Sequence, residues 1–64
     1  MRRFKNGDIV KITRPVCIRR RSGIVEFIDG KMVTVVNVGI KNSQCDIGID
    51  KLVFIPHTHL KIVA

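Results

Sequence analysis

The stretch GIVEFIDGKMVTVVNV, residues 23–38, contains alternating apolar residues on both sides of the dipeptide Asp29-Gly30. Alternation with a period of two is typical of a strand with one buried face. An Asp-Gly pair favours a tight β-hairpin turn, because both central residues of a type I′ turn need positive φ. The stretch therefore predicts a hairpin of two antiparallel strands, 23–28 and 31–38, at the centre of an all-β fold.

Three further short strands are predicted outside the hairpin. Val10 and Ile12 share one face of the first strand, and Pro15 ends that strand because proline cannot donate to a sheet ladder. No part of the chain keeps the 3.6-residue period of an amphipathic helix. The chain as a whole predicts a small antiparallel SH3-like barrel of five short strands. In order, the predicted elements are a strand at 8–13, a loop at 14–22, the hairpin at 23–38, a polar connection at 39–46, a strand within 47–55, a tight turn at 56–59 and a strand at 60–63.

With 64 residues, of which 45% are hydrophobic, the chain has the size of one small domain, 1–64, which includes a basic N-terminal arm, 1–6. A core of this size is marginal, so self-association or a place in a larger complex would help to stabilise it. The apolar positions that repeat with period two define the predicted core, which is Val10, Ile12, Val25, Phe27 or Ile28, Val33, Val35, Phe54, Leu60 and Ile62.

The net charge of +7 arises entirely in the first third of the chain. Residues 1–21 contain eight basic residues and one acid, whereas residues 22–64 contain four lysines and four acids. Segregated charge creates a one-sided positive field, which attracts polyanions or acidic protein surfaces. The four lysines of the neutral part are expected at turns or strand ends, without a functional role.

The basic residues of the first third are the candidate binding site. Arginine offers a planar fork that matches phosphate and carboxylate groups, and three arginines follow one another at positions 19–21. Phe4 lies among basic residues, where its ring could stack on an exposed base. The alternative for the same residues is a solvated, charged loop without a specific partner. The candidates for binding nucleic acid or another anionic partner are Arg2, Arg3, Phe4, Lys5, Lys11, Arg14, Arg19, Arg20 and Arg21.

Several other classes of protein are not expected. No apolar run approaches the roughly 20 residues that a membrane span needs, and no apolar segment of the kind found in secretion signals follows the basic start. Two cysteines are too few for a secreted disulfide scaffold. These observations predict a reduced, cytoplasmic protein.

Metal binding and catalysis find little support in the sequence. Cys17, Cys45, His57 and His59 could in principle ligate zinc, but the cysteines lack the close spacing of zinc motifs, so buried thiols and surface histidines are the expected state. The only acid–base cluster close in sequence is Asp46, Asp50 and His57, and a chain this small seldom builds a water-excluding pocket. No metal, no cofactor and no enzymatic activity are expected.

The strings GDIVKI (7–12), SGIV (22–25), DGKMVTV (29–35) and PHTHLKIV (56–63) resemble an SH3-like barrel. The middle of the chain is similar to a KOW motif, which occurs in ribosomal proteins and NusG-type transcription factors. This resemblance implies that Gly23 is a structural glycine and that Val25 and Ile28 are buried. It also implies a role in binding RNA, within the ribosome or the transcription machinery.

A second resemblance points to a different partner. VKITRP (10–15) followed by GIV (23–25) is similar to the small SH3-like protein of photosystem I, and DKLVFIPHTHLKIV (50–63) is similar to the end of the ferredoxin-docking component of the photosynthetic NADH-dehydrogenase-like complex. Both are small SH3-like barrels with basic loops that meet an acidic electron carrier. Two hypotheses follow: a module that binds nucleic acid, with RNA favoured because no recognition helix is predicted, or a docking module for an acidic protein such as ferredoxin.

Overall fold

The computed structural model describes residues 3–48 and 52–63, which form seven strands and a single 3-10 turn, with no α-helix among them. No helix in this part of the chain has the length and apolar character needed to cross a membrane. The strands are β1 (Ile9–Ile12), β2 (Val16–Arg19), β3 (Val25–Ile28), β4 (Met32–Val38), β5 (Asn42–Asp46), β6 (Leu52–Pro56) and β7 (Leu60–Ile62), with the 3-10 turn at His57–His59.

The strands form two antiparallel sheets. Five of them make one sheet in the order β6-β5-β4-β1-β7, and β2 and β3 make a separate two-stranded sheet. The prediction of an all-β fold is confirmed. The prediction of five strands is wrong, since the described residues contain seven, and the strands lie in two sheets in which no closed barrel is detected.

The predicted hairpin at 23–38 is also wrong, because β3 pairs with β2 whereas β4 pairs with β1 and β5. The cause lies at the end of β1. The Gly30 N–H donates to the Ile12 carbonyl at 2.8 Å, and the Ile12 N–H donates to the Lys31 carbonyl at 2.8 Å. With Gly30 at a φ of +74°, the chain passes at this point from the small sheet into the large one.

The segment predicted as a loop at 14–22 contains strand β2. Val16 and Ile18 are buried in the core, and the residues between and after them point outwards. Burial of two β-branched side chains on one face stabilises a strand. Pro15 precedes this strand and does not lie within it, so the N–H that proline lacks is not needed for a hydrogen bond in the ladder.

The polar segment predicted as a connection at 39–46 contains β5, which lies between β4 and β6. Ser43 and Cys45 are fully buried on its inner face. The Ser43 hydroxyl is 2.6 Å from Nε2 of His57, so the buried polar atom is satisfied. A serine with a buried partner thus occupies a core position for which the sequence shows no apolar signal.

The observed core differs from the predicted one in two ways: some predicted residues are exposed, and some buried residues were not predicted. Val25 and Phe54 are 49% and 64% exposed, so their assignment to the core is wrong. Of the alternatives Phe27 and Ile28, Phe27 is 71% exposed and Ile28 is the residue that contacts the core. Of the other predicted residues, Ile62 packs against the core from its margin and the rest are buried. The prediction of buried thiols is confirmed for Cys45 and wrong for Cys17, which is exposed. Five other buried residues were missed, which are Val16, Ile18, Ser43, Ile47 and Ile55.

Two neighbours in β6 test this core. Ile55 is fully buried and Phe54 is exposed. We expect Ile55→Ala to lower the free energy of unfolding by about 2–5 kcal/mol, because it removes buried methyl groups and leaves a cavity. Phe54→Ala should change it by about 0.5 kcal/mol or less. Urea titration followed by circular dichroism measures both, and a larger loss for Phe54→Ala would contradict the observed core.

Candidate anion-binding surface

Residues 19–25 form the tip of the β2–β3 hairpin, and we refer to them as the hairpin tip. All seven are exposed. The Arg20 N–H donates to the Ile24 carbonyl at 2.8 Å, and the Gly23 N–H donates to the Arg20 carbonyl at 2.9 Å. This pattern is typical of a three-residue hairpin loop that ends in a residue with positive φ. The short loop therefore presents three consecutive arginines on a defined turn.

Gly23 is the residue with positive φ at the end of that loop, and its φ is +88°. No atom outside its immediate chain neighbours lies within 4 Å of the place that a Cβ would take. Glycine is required here for its backbone conformation, and no neighbouring group excludes a side chain.

Arg20 is held by an acid from the opposite strand. Its Nη2 and Nε contact Oε1 of Glu26 at 2.8 and 3.1 Å. The segregation of charge along the sequence is therefore offset at this point in space, because an acid of the neutral part lies against one arginine of the cluster. The ion pair is exposed to solvent, so it adds little to stability, but it reduces the positive charge that Arg20 offers to a ligand.

The outer face of the β2–β3 hairpin combines arginine with an exposed aromatic ring. Cys17 lies opposite Phe27 in the ladder, and Arg19 lies opposite Val25. Arg19 and Phe27 are therefore diagonal neighbours, a spacing that aromatic and long side chains can bridge. The sequence analysis missed Phe27 as a site residue, because an apolar residue of a strand was assigned to the core. No signal in the sequence shows which face of β3 is covered.

A second basic group lies on the large sheet. Lys11 and Lys61 are directly opposite each other in the β1–β7 ladder. They line a shallow groove of about 490 Å³ together with Thr13, Asp29 and Gly30. Like charges at opposite positions of two strands are unfavourable, and a bound anion would relieve that repulsion. Lys61 is a candidate residue that the sequence analysis set aside as a strand-end lysine.

The described part of the N-terminal arm packs on the body of the protein. The rings of Phe4 and His57 are stacked, with centroids 4.5 Å apart. The Asn6 side chain accepts the Val38 N–H at 2.9 Å, and the Gly7 N–H donates to the Val35 carbonyl at 2.7 Å. One face of the Phe4 ring is therefore already covered, which limits its use as a stacking platform for a base.

Most of the predicted site residues fall into two groups. Arg19, Arg20 and Arg21 lie at the hairpin tip, and Arg3 shares a groove with Lys61, which in turn lies beside Lys11. Arg14 and Lys5 are exposed, Arg14 between β1 and β2 and Lys5 at a turn closed by Asp8. Arg2 lies outside the described residues.

The residues considered for metal binding and catalysis are dispersed. Among the described residues, no group of three or more His, Cys, Asp or Glu side chains is arranged to hold a metal ion. Cys17 is exposed and Cys45 is buried, and burial raises the pKa of the Cys45 thiol. Ser43 contacts His57 but is fully buried, so its hydroxyl cannot reach a substrate. Asp50 lies outside the described part of the chain.

Comparison of this chain with protein-family models, with curated proteins and with solved structures finds no match. The resemblances to SH3-like, KOW and photosynthetic docking proteins therefore stay expectations from short strings.

The hairpin tip depends on the backbone of Gly23. We expect Gly23→Ala to lower the free energy of unfolding by about 1–2 kcal/mol, the cost of a side chain at positive φ. Gly23→Asn should cost less, because asparagine adopts positive φ more readily than alanine. Urea titration measures both variants. An alanine variant as stable as the parent would show that the tip does not need this conformation.

Proposed function

We propose that this protein is a non-catalytic, cytoplasmic binding module that binds single-stranded nucleic acid, with RNA favoured, through the hairpin tip and the outer face of the β2–β3 hairpin. One observation carries the proposal: Phe27 is 71% exposed on the same face as Arg19, next to the arginine turn. An aromatic ring beside arginines provides stacking and phosphate contacts within one small surface.

The physical basis favours single strands over duplexes. In a duplex both faces of a base are stacked on the neighbouring bases, so an exposed phenylalanine ring cannot stack on it. Unpaired bases can stack on an aromatic side chain, and recognition of RNA relies mainly on such unstacked bases. Arg21 is exposed in the loop and supplies a positive charge to the backbone of the strand.

The second candidate function is docking to an acidic protein, such as ferredoxin or a component of a larger complex. Exposed Ile24 and Val25 support it, because they add apolar surface to the arginines of the hairpin tip. Aromatic residues and arginine are enriched at protein interfaces. The two functions use the same surface and differ in whether the ring contacts a base or a side chain.

Replacing Phe27 tests the stacking contact. We expect Phe27→Ala to weaken binding of a mixed-sequence 12-nucleotide RNA by roughly 5-fold to 100-fold, the loss for one stacked base. Phe54→Ala is the matched control, because Phe54 is also exposed but lies on the other sheet. Fluorescence anisotropy measures the affinity. Equal effects of the two substitutions would contradict a stacking site on the hairpin.

Replacing Arg21 tests the electrostatic contact. We expect Arg21→Ala to weaken binding similarly for all RNA sequences and to make the slope of log affinity against log salt shallower by about 0.7, the value for one single-strand phosphate contact. Lys41→Ala removes the same charge away from the hairpin and should leave the slope unchanged. A parent that binds an acidic protein but neither RNA nor DNA at physiological salt would favour the second candidate function.

A further inference from the structure

A second surface of the molecule has the features of a peptide-binding site. An open groove of about 1120 Å³ runs beside strand β7. Its apolar wall includes Phe4, Val38, Ile40 and Ile62. Ile40 is 96% exposed, so a large apolar side chain stands at the mouth of the groove without cover. We refer to this surface as the β7 groove.

The groove reaches the free edge of the large sheet. β7 is the last strand in the order β6-β5-β4-β1-β7, and among the described residues it pairs only with β1. Successive side chains of a strand point to opposite faces. Because both Lys61 and Ile62 line the groove, it must extend around the edge of β7 and is not confined to one face.

The register shows which backbone groups this edge offers. The Thr13 N–H donates to the His59 carbonyl at 2.8 Å, and the Val63 N–H donates to the Ile9 carbonyl at 3.3 Å. In an antiparallel ladder the backbone groups of alternate residues point to the same side. The backbone groups of residues 59, 61 and 63 therefore point towards β1. The N–H and C=O of Ile62 and the C=O of Leu60 point to the free edge.

The charges of the groove select the kind of partner. Among the described residues, Arg3 and Lys61 line the groove and no acidic side chain does. The chain has a net charge of +7, so a second copy of the protein would approach this edge against electrostatic repulsion. A segment that contains carboxylates meets the two basic side chains favourably.

We propose that β7 accepts an extended, acidic segment of a partner protein as an additional antiparallel or parallel strand. Main-chain hydrogen bonds to Leu60 and Ile62 provide the pairing, and the side chains of the segment provide specificity. Apolar residues of the segment pack against the wall near Ile40 and Ile62. Its alternate acidic residues lie on the face of Lys61. This site is separate from the β2–β3 hairpin and does not depend on the function proposed for it.

The probe is the synthetic peptide acetyl-Val-Asp-Val-Asp-Val-Asp-amide, titrated into the full chain and followed by amide NMR. We expect saturable binding and at least tenfold slower hydrogen exchange of the Ile62 amide, because its N–H becomes hydrogen-bonded. Two peptides that are N-methylated at one or the other set of alternate residues provide the matched control. Only one of the two should lose binding, because only one set of N–H groups faces β7.

Charge reversal tests the role of Lys61. We expect Lys61→Glu to weaken binding of the acidic peptide at least tenfold and to permit binding of the corresponding Val-Lys peptide. The fold should persist, since the substitution places an acid opposite Lys11. Arg14→Glu makes the same change in net charge at an exposed residue that is not among the groove lining, and it should leave the peptide affinity within about twofold of the parent.

Four outcomes would overturn the proposal. The first is no binding of the acidic peptide at millimolar concentration, and the second is binding that neither N-methylation nor Lys61→Glu affects. The third is a dimer of the free protein, measured by sedimentation, in which the Ile62 amide is already protected, because the edge would then bind a second copy. The fourth is displacement of the peptide by the 12-nucleotide RNA with shifts at the same amides, because the groove would then belong to a nucleic-acid surface.

Discussion

The arrangement of the two sheets depends on the pair of backbone hydrogen bonds at Ile12. Its carbonyl accepts the Gly30 N–H and its N–H donates to the Lys31 carbonyl, so the end of β1 holds the segment between β3 and β4. β4 is thereby aligned with β1, and β3 is left to pair with β2. Without this contact the nearest partner of β4 along the chain would be β3, and the two-stranded hairpin would not exist as a separate unit.

A second set of contacts joins distant parts of the chain around His57. Its ring stacks on Phe4 near the N-terminus, and its Nε2 lies 2.6 Å from the hydroxyl of Ser43 in β5. Its backbone N–H donates to the Lys41 carbonyl. One histidine thus satisfies a buried hydroxyl and positions the arm that forms a wall of the β7 groove. The packing that completes the core on this side also determines the shape of the groove.

The sequence predicts the local strands better than their pairing. β1, β4 and β7 follow from alternating apolar residues between glycine and proline, whereas β5 does not, because Ser43 and Cys45 occupy core positions within a polar run. The hairpin predicted at Asp29-Gly30 fails because the turn chemistry is local but the partner of β4 is decided by hydrogen bonds to β1.

The candidate site shows the same division. Arg19, Arg20 and Arg21 are evident in the sequence as a cluster, but the Arg20–Glu26 ion pair and the exposure of Phe27 are consequences of the β2–β3 register. Lys61 is adjacent to Lys11 only through the pairing of the last strand with the first. Long-range pairing of this kind leaves no trace in the spacing of residues along one chain.

The hairpin tip has a consequence for how this protein can evolve. No side chain from residues 19 to 25 belongs to the core, and the hairpin is anchored below its tip by Val16, Ile18 and Ile28. Apart from the turn glycine, the tip can therefore accumulate substitutions that alter its surface charge with little loss of folded protein. Under the function proposed for the hairpin, selection for a new ligand and selection for stability act on different residues, so related chains can diverge in specificity while they keep the same two sheets.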